Sequence, residues 1–358
     1  MGTTPDACHT AAVSTQARSG KAARVAPTLE EVAARAGVSR ATASRVLRGD
    51  KKVSEHARTV VLDAAKAISY VPNLAARSLV TGRSDSVAFL VEETEERMFS
   101  DPFFLGMLRS AQETVAEAGL QLVFTVMTHP EDQARFLAYA GGGHVDGVLL
   151  LSLHGQDKLP QRLEALGVPT VLSGRPLSGR RRLWYVDADN VGGGSLATSH
   201  LLATGRRHIA TVTGPLDMGA GQDRLAGYRA ALEREGRGYD ESLVSVGDFT
   251  SAGGYDATRR LLEQRPDVDA IFAGSDLAAF GVVRALRDAG RRPGDDVAVI
   301  GFDDIPAAAE QQPPLSTVRQ PIAELGTAMT KLLLRRIDGE AVERTALLPV
   351  ELVLRATA

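Results

Sequence analysis

The chain has 358 residues, of which 44% are hydrophobic and 24% charged, as is typical of a globular protein with more than one packed domain. Its only cysteine, Cys8, excludes a disulfide framework or a cysteine metal site within one chain, and a reducing cytoplasm is the expected location. The sequence has neither a signal-peptide pattern nor an apolar run of membrane-spanning length, so we expect neither export nor membrane insertion.

Charge is unevenly distributed along the chain. Residues 1–83 contain 13 Lys and Arg against 6 Asp and Glu, whereas the remaining residues contain 28 against 38. The net charge of -3 therefore hides a positive first segment and a negative remainder. Clustered cations suit a polyanion because they displace counterions from its phosphates. We expect any nucleic-acid contact to lie within the positive segment.

Three short helices are predicted after a flexible tail at residues 1–26. The first helix, over 28–36, begins with the capping-box pattern Thr-x-x-Glu, and a glycine separates it from a second helix over 39–48. A third helix begins at Ser54 and ends before Pro72. Together these helices predict a small, all-α headpiece.

The first two predicted helices have the features of a helix-turn-helix. In that motif one helix crosses the DNA backbone, and the next presents its N-terminal side chains to base edges in the major groove. The segment TLEEVAARAGVSRATASRVL has small residues where the helices would touch and a basic outer face. Arg40 and Arg45 can reach guanine edges, while Ser39, Thr42 and Ser44 suit phosphates or bases. The alternative is a surface helix with ordinary arginines.

From Ser86 onward, short apolar runs such as VAFLV and VDGVLLL alternate with amphipathic helical segments. A second series follows Asp187 and includes HIATVTG, a strand near Leu243, DAIFAG and VAVIGFDD. This alternation is typical of parallel sheets built from βα units, so we predict two lobes, each with a doubly wound parallel sheet. The predicted lobes are residues 86–187 plus 315–337 and residues 188–314 plus 338–358.

In their order and spacing, these segments resemble the lactose-repressor (LacI/GalR) family of bacterial transcriptional regulators. The resemblance covers residues 28–358 and rests on the helix-turn-helix segment, SYVPNLAARSL, DPFF, DADNVGGG, LLATGRRHIATVTGP, QDRLAGY, DAIFAGSDLAAFGVVRAL, VAVIGFDD and PLSTVRQP. It implies a DNA-binding headpiece at 27–72, a hinge helix and linker at 73–85, and an effector-binding and dimerisation domain at 86–358 with a periplasmic-binding-protein-like fold.

The resemblance also implies which side chains meet DNA. Arg40 and Ala41 would begin the base-reading surface, and Arg45 would add a base or phosphate contact. Leu79 of the hinge would wedge into the minor groove and kink the duplex, unless it packs against the sensor instead. The full expected set is Thr28, Ser39, Arg40, Ala41, Thr42, Ser44, Arg45, Asn73, Ala76, Arg77 and Leu79.

Polar residues follow two of the predicted strands. Asp303 follows VAVIGF, and Ser275 and Asp276 follow DAIFAG, so all three lie at strand carboxyl ends, where ligands bind in doubly wound folds. By resemblance, Asp303 and Arg224 would bind hydroxyls or a carboxylate of a small effector, with Ser275 and Asp276 nearby. The alternatives are helix caps for the two aspartates and a salt bridge for Arg224.

Phe103 and Phe104 could supply an apolar face for a sugar ring or a nucleobase, or they could belong to the core or a dimer interface. The chain departs from the family pattern in having Ser275 where relatives often have asparagine. It also has Ser173 and Gly174 where several sugar-responsive members have an acidic residue. The effector is therefore expected to be carbohydrate-like, but its identity stays open.

Two other classes of protein are less consistent with the sequence. An enzyme would show a phosphate loop, a zinc motif or a nucleophile elbow, and the chain lacks GxxxxGK, HExxH and GxSxG, so we expect no catalysis, cofactor or metal. An exported solute-binding protein would begin with a cleavable leader. The expected protein is a homodimeric regulator, by family default a repressor, that binds a near-palindromic operator. Effector binding would shift its lobe closure.

Overall fold

The computed structural model describes residues 2, 27–47, 50, 52–71, 82–178 and 182–358. The chain divides into two compact units, Met1–Arg77 and Ser78–Ala358. Among the described residues, no helix combines the length and the apolar character needed to cross a bilayer.

Three described helices pack together in the first unit: α1 Leu29–Ala36, α2 Arg40–Leu47 and α3 Glu55–Ala67. The predicted capping box is confirmed, because the Glu31 N–H donates to Thr28 Oγ1 and the Thr28 N–H donates to the Glu31 carboxylate at 2.9 Å. Gly37 turns the chain into α2 with φ 65°, a backbone conformation that costs glycine little.

Apolar side chains from all three helices form the core of this unit. Val32, Ala43, Val46 and Val61 are almost fully buried there, each worth up to about 2 kcal/mol of transfer free energy. The third helix ends at Ala67, earlier than predicted, because Ser69 takes the left-handed backbone conformation well before Pro72. The helix-turn-helix arrangement itself is as predicted.

A parallel sheet of six described strands forms the N-lobe of the second unit, in the order β11-β5-β4-β3-β1-β2, where β11 is Thr345–Leu348. Its central strands are buried on both faces, which is why segments such as GVLLL read as continuous apolar runs. Its elements in the first part of the chain are β1 Ser86–Glu92, α4 Glu95–Ser100, α5 Pro102–Glu117, β2 Gln121–Met127, α6 Pro130–Gly141, β3 Gly147–Leu151, α7 Leu159–Ala165, β4 Thr170–Ser173 and β5 Trp184–Ala188.

The C-lobe has a second sheet of six described strands, in the order β12-β10-β9-β8-β6-β7, where β12 is Glu351–Val353. All of its strands are parallel except β12. Its elements before the last lobe crossings are α8 Asn190–Ala203, β6 Ile209–Thr213, α9 Gly219–Arg234, a 3-10 turn Glu241–Leu243, β7 Val244–Val246, α10 Ser251–Gln264, β8 Ala270–Ala273, α11 Asp276–Asp288, β9 Ala298–Asp303, α12 Pro306–Glu310 and β10 Ser316–Arg319. The predicted pair of doubly wound lobes is thus confirmed.

The chain passes between the lobes three times. It crosses between β5 and α8, between β10 and α13 (Ile322–Ile337), and between β11 (Thr345–Leu348) and β12 (Glu351–Val353). This corrects the predicted lobe boundaries at 315–337 and 338–358, because β10 pairs with β9 in the C-lobe while β11 pairs with β5 in the N-lobe. Strand pairing decides the membership of such short segments, and their local pattern does not reveal the partner.

Candidate functional site

A cleft of about 810 Å³, its solvent-open part included, lies between the two lobes. Side chains from both lobes line it, and several of them follow the carboxyl ends of strands, as expected for doubly wound sheets. The lining combines aromatic rings with an unusual number of buried charged groups. Of the residues expected to bind the effector, Phe103, Phe104, Arg224, Ser275 and Asp303 line this cleft.

Asp303 and Arg224 form the charged floor of the C-lobe side. Arg224 Nη1 lies 3.8 Å from Asp303 Oδ1, while its Nε donates to Asn190 Oδ1 at 2.8 Å. Gln320 donates to Asp303 Oδ1 at 2.6 Å. Burial raises the pKa of Asp303 well above its usual value, against the opposing effect of Arg224, and burial lowers the pKa of Arg224. Both groups are therefore poorly solvated and suited to a polar ligand.

Asp276 is a correction to the expected ligand set. Its side chain is fully buried beneath the strand ends and does not line the cleft. Thr317 Oγ1 donates to its Oδ1 at 2.5 Å and the Ile305 N–H donates to its Oδ2 at 2.9 Å, so both oxygens serve the fold. Ser275 is both a helix cap and a lining residue. Its Oγ accepts the Ala278 N–H at the start of α11, and the residue also lines the cleft.

Aromatic rings from both lobes face the cleft. Phe103 and Phe104 lie edge to face with their centroids 5.4 Å apart. Phe249, which the sequence analysis missed, faces them from the C-lobe. Its backbone has φ 68°, and the absence of side chains at Gly214 and Gly274 makes room for its ring: a Cβ on Gly214 would lie 1.9 Å from the ring. A bulky residue held in this strained conformation is a mark of a functional position.

Two further carboxyl groups in the cleft come from the N-lobe and were also missed. Asp101 caps α5 by accepting the Phe103 N–H at 3.0 Å, and burial raises its pKa. Asp187, at the end of β5, accepts hydrogen bonds from the Arg175 N–H and the Asn190 side chain, at 2.9 and 2.8 Å. Burial raises the pKa of Asp187 to about 6. The sequence signal that could have located Asp187 is the apolar run LWYV directly before it.

Direct contacts join the lobes at the cleft. Arg175 of the N-lobe donates two hydrogen bonds of 2.7 Å to Asp223 in α9 of the C-lobe. His154 of the N-lobe lies 3.1 Å from Asp217 of the C-lobe and 3.1 Å from Glu93 of its own lobe. Its hydrogen bonds to these carboxylates raise the pKa of His154 despite partial burial. The lobes are therefore held together by ion pairs as well as by the three chain crossings.

The candidate DNA-binding face belongs to the first unit. On α2, Ala43 and Val46 turn inward, whereas Arg40, Ala41 and Arg45 are exposed. Arg40 pairs with the exposed Glu30 of α1 at 2.6 Å. An exposed pair of this kind is weak, so a phosphate or base can compete for the arginine.

The polar side chains beside this face have structural partners. Ser39 Oγ accepts the Thr42 N–H at 3.1 Å and lies 2.9 Å from Thr42 Oγ1, while Thr28 serves the capping box. Ser44 is half-buried and also has a partner. The expected hinge contacts Asn73, Ala76, Arg77 and Leu79 lie outside the residues that the structure describes, as does the tail apart from residue 2.

Comparisons with known proteins agree with both units. Residues 28–73 match the family model "Bacterial regulatory proteins, lacI family", and residues 198–358 match "Periplasmic binding protein-like domain". The HTH-type transcriptional regulator CelR of Thermobifida fusca is 49% identical over 329 residues, which are 92% of this chain and 95% of that protein.

Two solved structures are similar over almost the whole chain. A CelR-cellobiose complex has 46% sequence identity and a TM-score of 0.75, covering 93% of this chain and 100% of its own. The lac repressor dimer bound to operator and the anti-inducer ONPF has 26% identity and a TM-score of 0.82, covering 93% and 99%. These similar proteins are transcriptional regulators, not enzymes.

Proposed function

Because the chain belongs to the LacI family of bacterial regulatory proteins, we propose that its cleft binds an uncharged saccharide of the cellobiose class and that occupancy changes its affinity for operator DNA. The protein is a DNA-binding transcriptional regulator with a small-molecule effector. We further propose that it acts in the cytoplasm as a binding protein rather than as a catalyst, and that repression is its default action.

The observation that carries this proposal is the balance of charged groups in the cleft. Among the arginines that line the cleft, Arg97 is paired with Glu93, and Arg175 is paired with Asp223. One lining guanidinium, that of Arg224, is then left to balance three lining carboxyl groups, those of Asp101, Asp187 and Asp303. Buried carboxyl groups in excess need hydrogen-bond donors, and saccharide hydroxyls supply them. A phosphate or carboxylate ligand would add negative charge to the same place and is disfavoured.

The apolar part of the cleft supports the same ligand class. Phe103 and Phe249 line the cleft from opposite lobes, and the C–H face of a pyranose packs well on aromatic rings. The cleft is open to solvent, so a ligand larger than one sugar ring can extend out of it. The similarity to a CelR-cellobiose complex points to a β-linked glucose disaccharide as the first ligand to test.

On the DNA side, we propose that Arg40, Ala41 and Arg45 read bases from α2. The other predicted headpiece contacts then position the headpiece on phosphates. A homodimer would present two such headpieces to a near-palindromic operator, with the hinge residues Asn73, Ala76, Arg77 and Leu79 at its centre. Effector binding would act by favouring one arrangement of the two lobes over another.

Calorimetric titration with cellobiose, glucose and glucose 6-phosphate tests the effector class. We expect cellobiose to bind best and the phosphate to bind least. Asp303→Asn should raise the Kd for cellobiose about 10-fold, because the amide offers one acceptor oxygen where the carboxyl group offers two. Glu263→Gln, an exposed change on α10, is the matched control and should leave the Kd unchanged.

The link to DNA is measured by fluorescence anisotropy on a duplex selected by the protein from a random library. At a cellobiose concentration near the wild-type Kd, cellobiose should shift the Kd for that duplex in the wild type and shift it much less in Asp303→Asn. Tighter binding of glucose 6-phosphate than of cellobiose would refute the proposed effector class. A cellobiose effect on DNA binding that needs no more cellobiose in Asp303→Asn than in the wild type would refute the proposed effector site.

A further inference from the structure

Arg97 lies on the short helix α4, which covers the N-lobe side of the cleft. Its side chain is only 13% exposed, and Nη1 donates to Glu93 Oε1. The guanidinium lies 5.7 Å from the ring centroid of Phe104 in its own lobe and 5.4 Å from that of Phe249 in the other lobe. It is therefore a cation placed between aromatic rings of both lobes.

One donor of this guanidinium is unused. The Arg97 Nε atom is buried, and no hydrogen-bond acceptor lies within reach of it among the described residues. Glu93 does not serve it: the Oε1 atom that accepts from Arg97 Nη1 also accepts from Ser152 Oγ and lies 3.1 Å from His154 Nε2. A buried guanidinium N–H without an acceptor is unfavourable, and native structures normally supply the missing partner from water or from a ligand.

We propose that Arg97 is a specificity-determining residue of the effector cleft, donating its Nε–H to an uncharged oxygen of the saccharide. This inference rests on the function proposed above. The charge of Arg97 is already balanced by Glu93, so the acceptor it needs is a hydroxyl, ring or glycosidic oxygen rather than an anion. Its place between Phe104 and Phe249 means that the oxygen is bound only when the two lobes are together.

A purely structural role for Arg97, as the partner of Glu93, predicts different behaviour from a ligand-reading role. Arg97→Lys separates the two, because lysine keeps the positive charge beside Glu93 but has no Nε–H. Under the ligand-reading role this variant loses one hydrogen bond to the saccharide, and under the structural role it loses none. Arg109→Lys, an exposed change on α5 with a similar acidic partner, Glu113, is the matched control.

The experiment is a calorimetric titration of wild type, Arg97→Lys and Arg109→Lys with cellobiose and with its monodeoxy and glycosidic-sulfur derivatives. We expect Arg97→Lys to bind cellobiose about 10- to 100-fold more weakly. We also expect the wild type to discriminate against at least one derivative that Arg97→Lys binds as well as it binds cellobiose. Thermal melts of the unliganded proteins show whether each variant is folded.

An unchanged cellobiose Kd in Arg97→Lys would overturn the proposal for this residue, and so would weaker binding with the derivative profile of the wild type. If the wild type itself does not bind cellobiose, the proposed effector class fails, and the same comparison is made with whichever neutral disaccharide raises the melting temperature. If no neutral saccharide does so, both proposals fall.

Discussion

Replacing Asp223 by asparagine should weaken the contact that holds the two lobes together at the cleft. Arg175 donates two hydrogen bonds of 2.7 Å to this carboxylate, and the side chains are only 19% and 18% exposed. Hydrogen bonds between charged groups contribute about 1.5–3 kcal/mol, and asparagine keeps one acceptor. We therefore expect the free energy that favours the closed lobes to fall by about 1.5–2 kcal/mol. That loss lowers the ratio of closed to open protein about 10- to 30-fold.

Part of the binding free energy of an effector that binds the closed arrangement is then used to close the lobes. The Kd of this effector should therefore rise by up to the same factor. Calorimetry with cellobiose measures this rise, and small-angle scattering of the unliganded protein should show a larger radius of gyration. Glu233→Gln, an exposed change on the same helix, should alter neither quantity.

A Kd within twofold of the wild type in Asp223→Asn, with unchanged scattering, would refute the role of this ion pair in closure. Tighter effector binding would refute it in another way, since it would mean that Asp223 merely holds Arg175 away from the ligand.

Three other expectations concern the headpiece, the buried aspartate and the histidine. Arg45→Ala should cost about 1–3 kcal/mol of specific over random duplex binding in anisotropy titrations and leave the cellobiose Kd unchanged. Asp276→Ala leaves the Thr317 hydroxyl and the Ile305 N–H without their acceptor, so urea melts should show a loss of about 2–4 kcal/mol of unfolding free energy. The effector Kd of the folded variant should stay unchanged, and a lost ligand response at full stability would contradict the assignment. Hydrogen bonds to Glu93 and Asp217 raise the pKa of His154, and because only Asp217 belongs to the other lobe, the protonated form favours the closed lobes through that one contact. This contribution is present below the ordinary pKa of 6.5 and is lost as the pH rises through the raised value. Between pH 6 and 9 the wild-type effector affinity should therefore fall about two- to fivefold more than that of His154→Gln, in which the other cleft groups still titrate. Parallel pH profiles would refute this.

The parts of this molecule that depend on local pattern could be predicted from the sequence. The capping box at Thr28, the βα alternation and the place of Asp303 at a strand end all follow from spacing and residue type. Asp276 has the same local signature as Asp303 and a different role. Asp303 has φ 122° and faces the cleft, whereas Asp276 begins α11 and turns towards Thr317 of β10, and only the tertiary fold sets these directions.

The missed cleft residues share a physical reason. Phe249 lies in a loop between β7 and α10, where no periodicity marks it, and its position depends on space that two distant glycines leave. Arg97 and Arg175 are ordinary arginines in sequence and acquire their roles from carboxylates and rings brought to them by the fold. Sequence patterns report burial and chain direction well, but they carry little information on which lobe a side chain will meet.

The polar groups of the cleft form a continuous chain across the lobe crossings. Asp187, the penultimate residue of β5, accepts a hydrogen bond from the Asn190 side chain, whose oxygen accepts from Arg224. Arg224 lies beside Asp303, and Gln320, at the second crossing, donates to Asp303. A ligand that hydrogen-bonds to any of these buried groups therefore changes the hydrogen bonding at two of the three crossings. The crossings set the angle between the lobes. A small shift in this series of hydrogen-bonded side chains can therefore move the lobes relative to each other without any wider rearrangement.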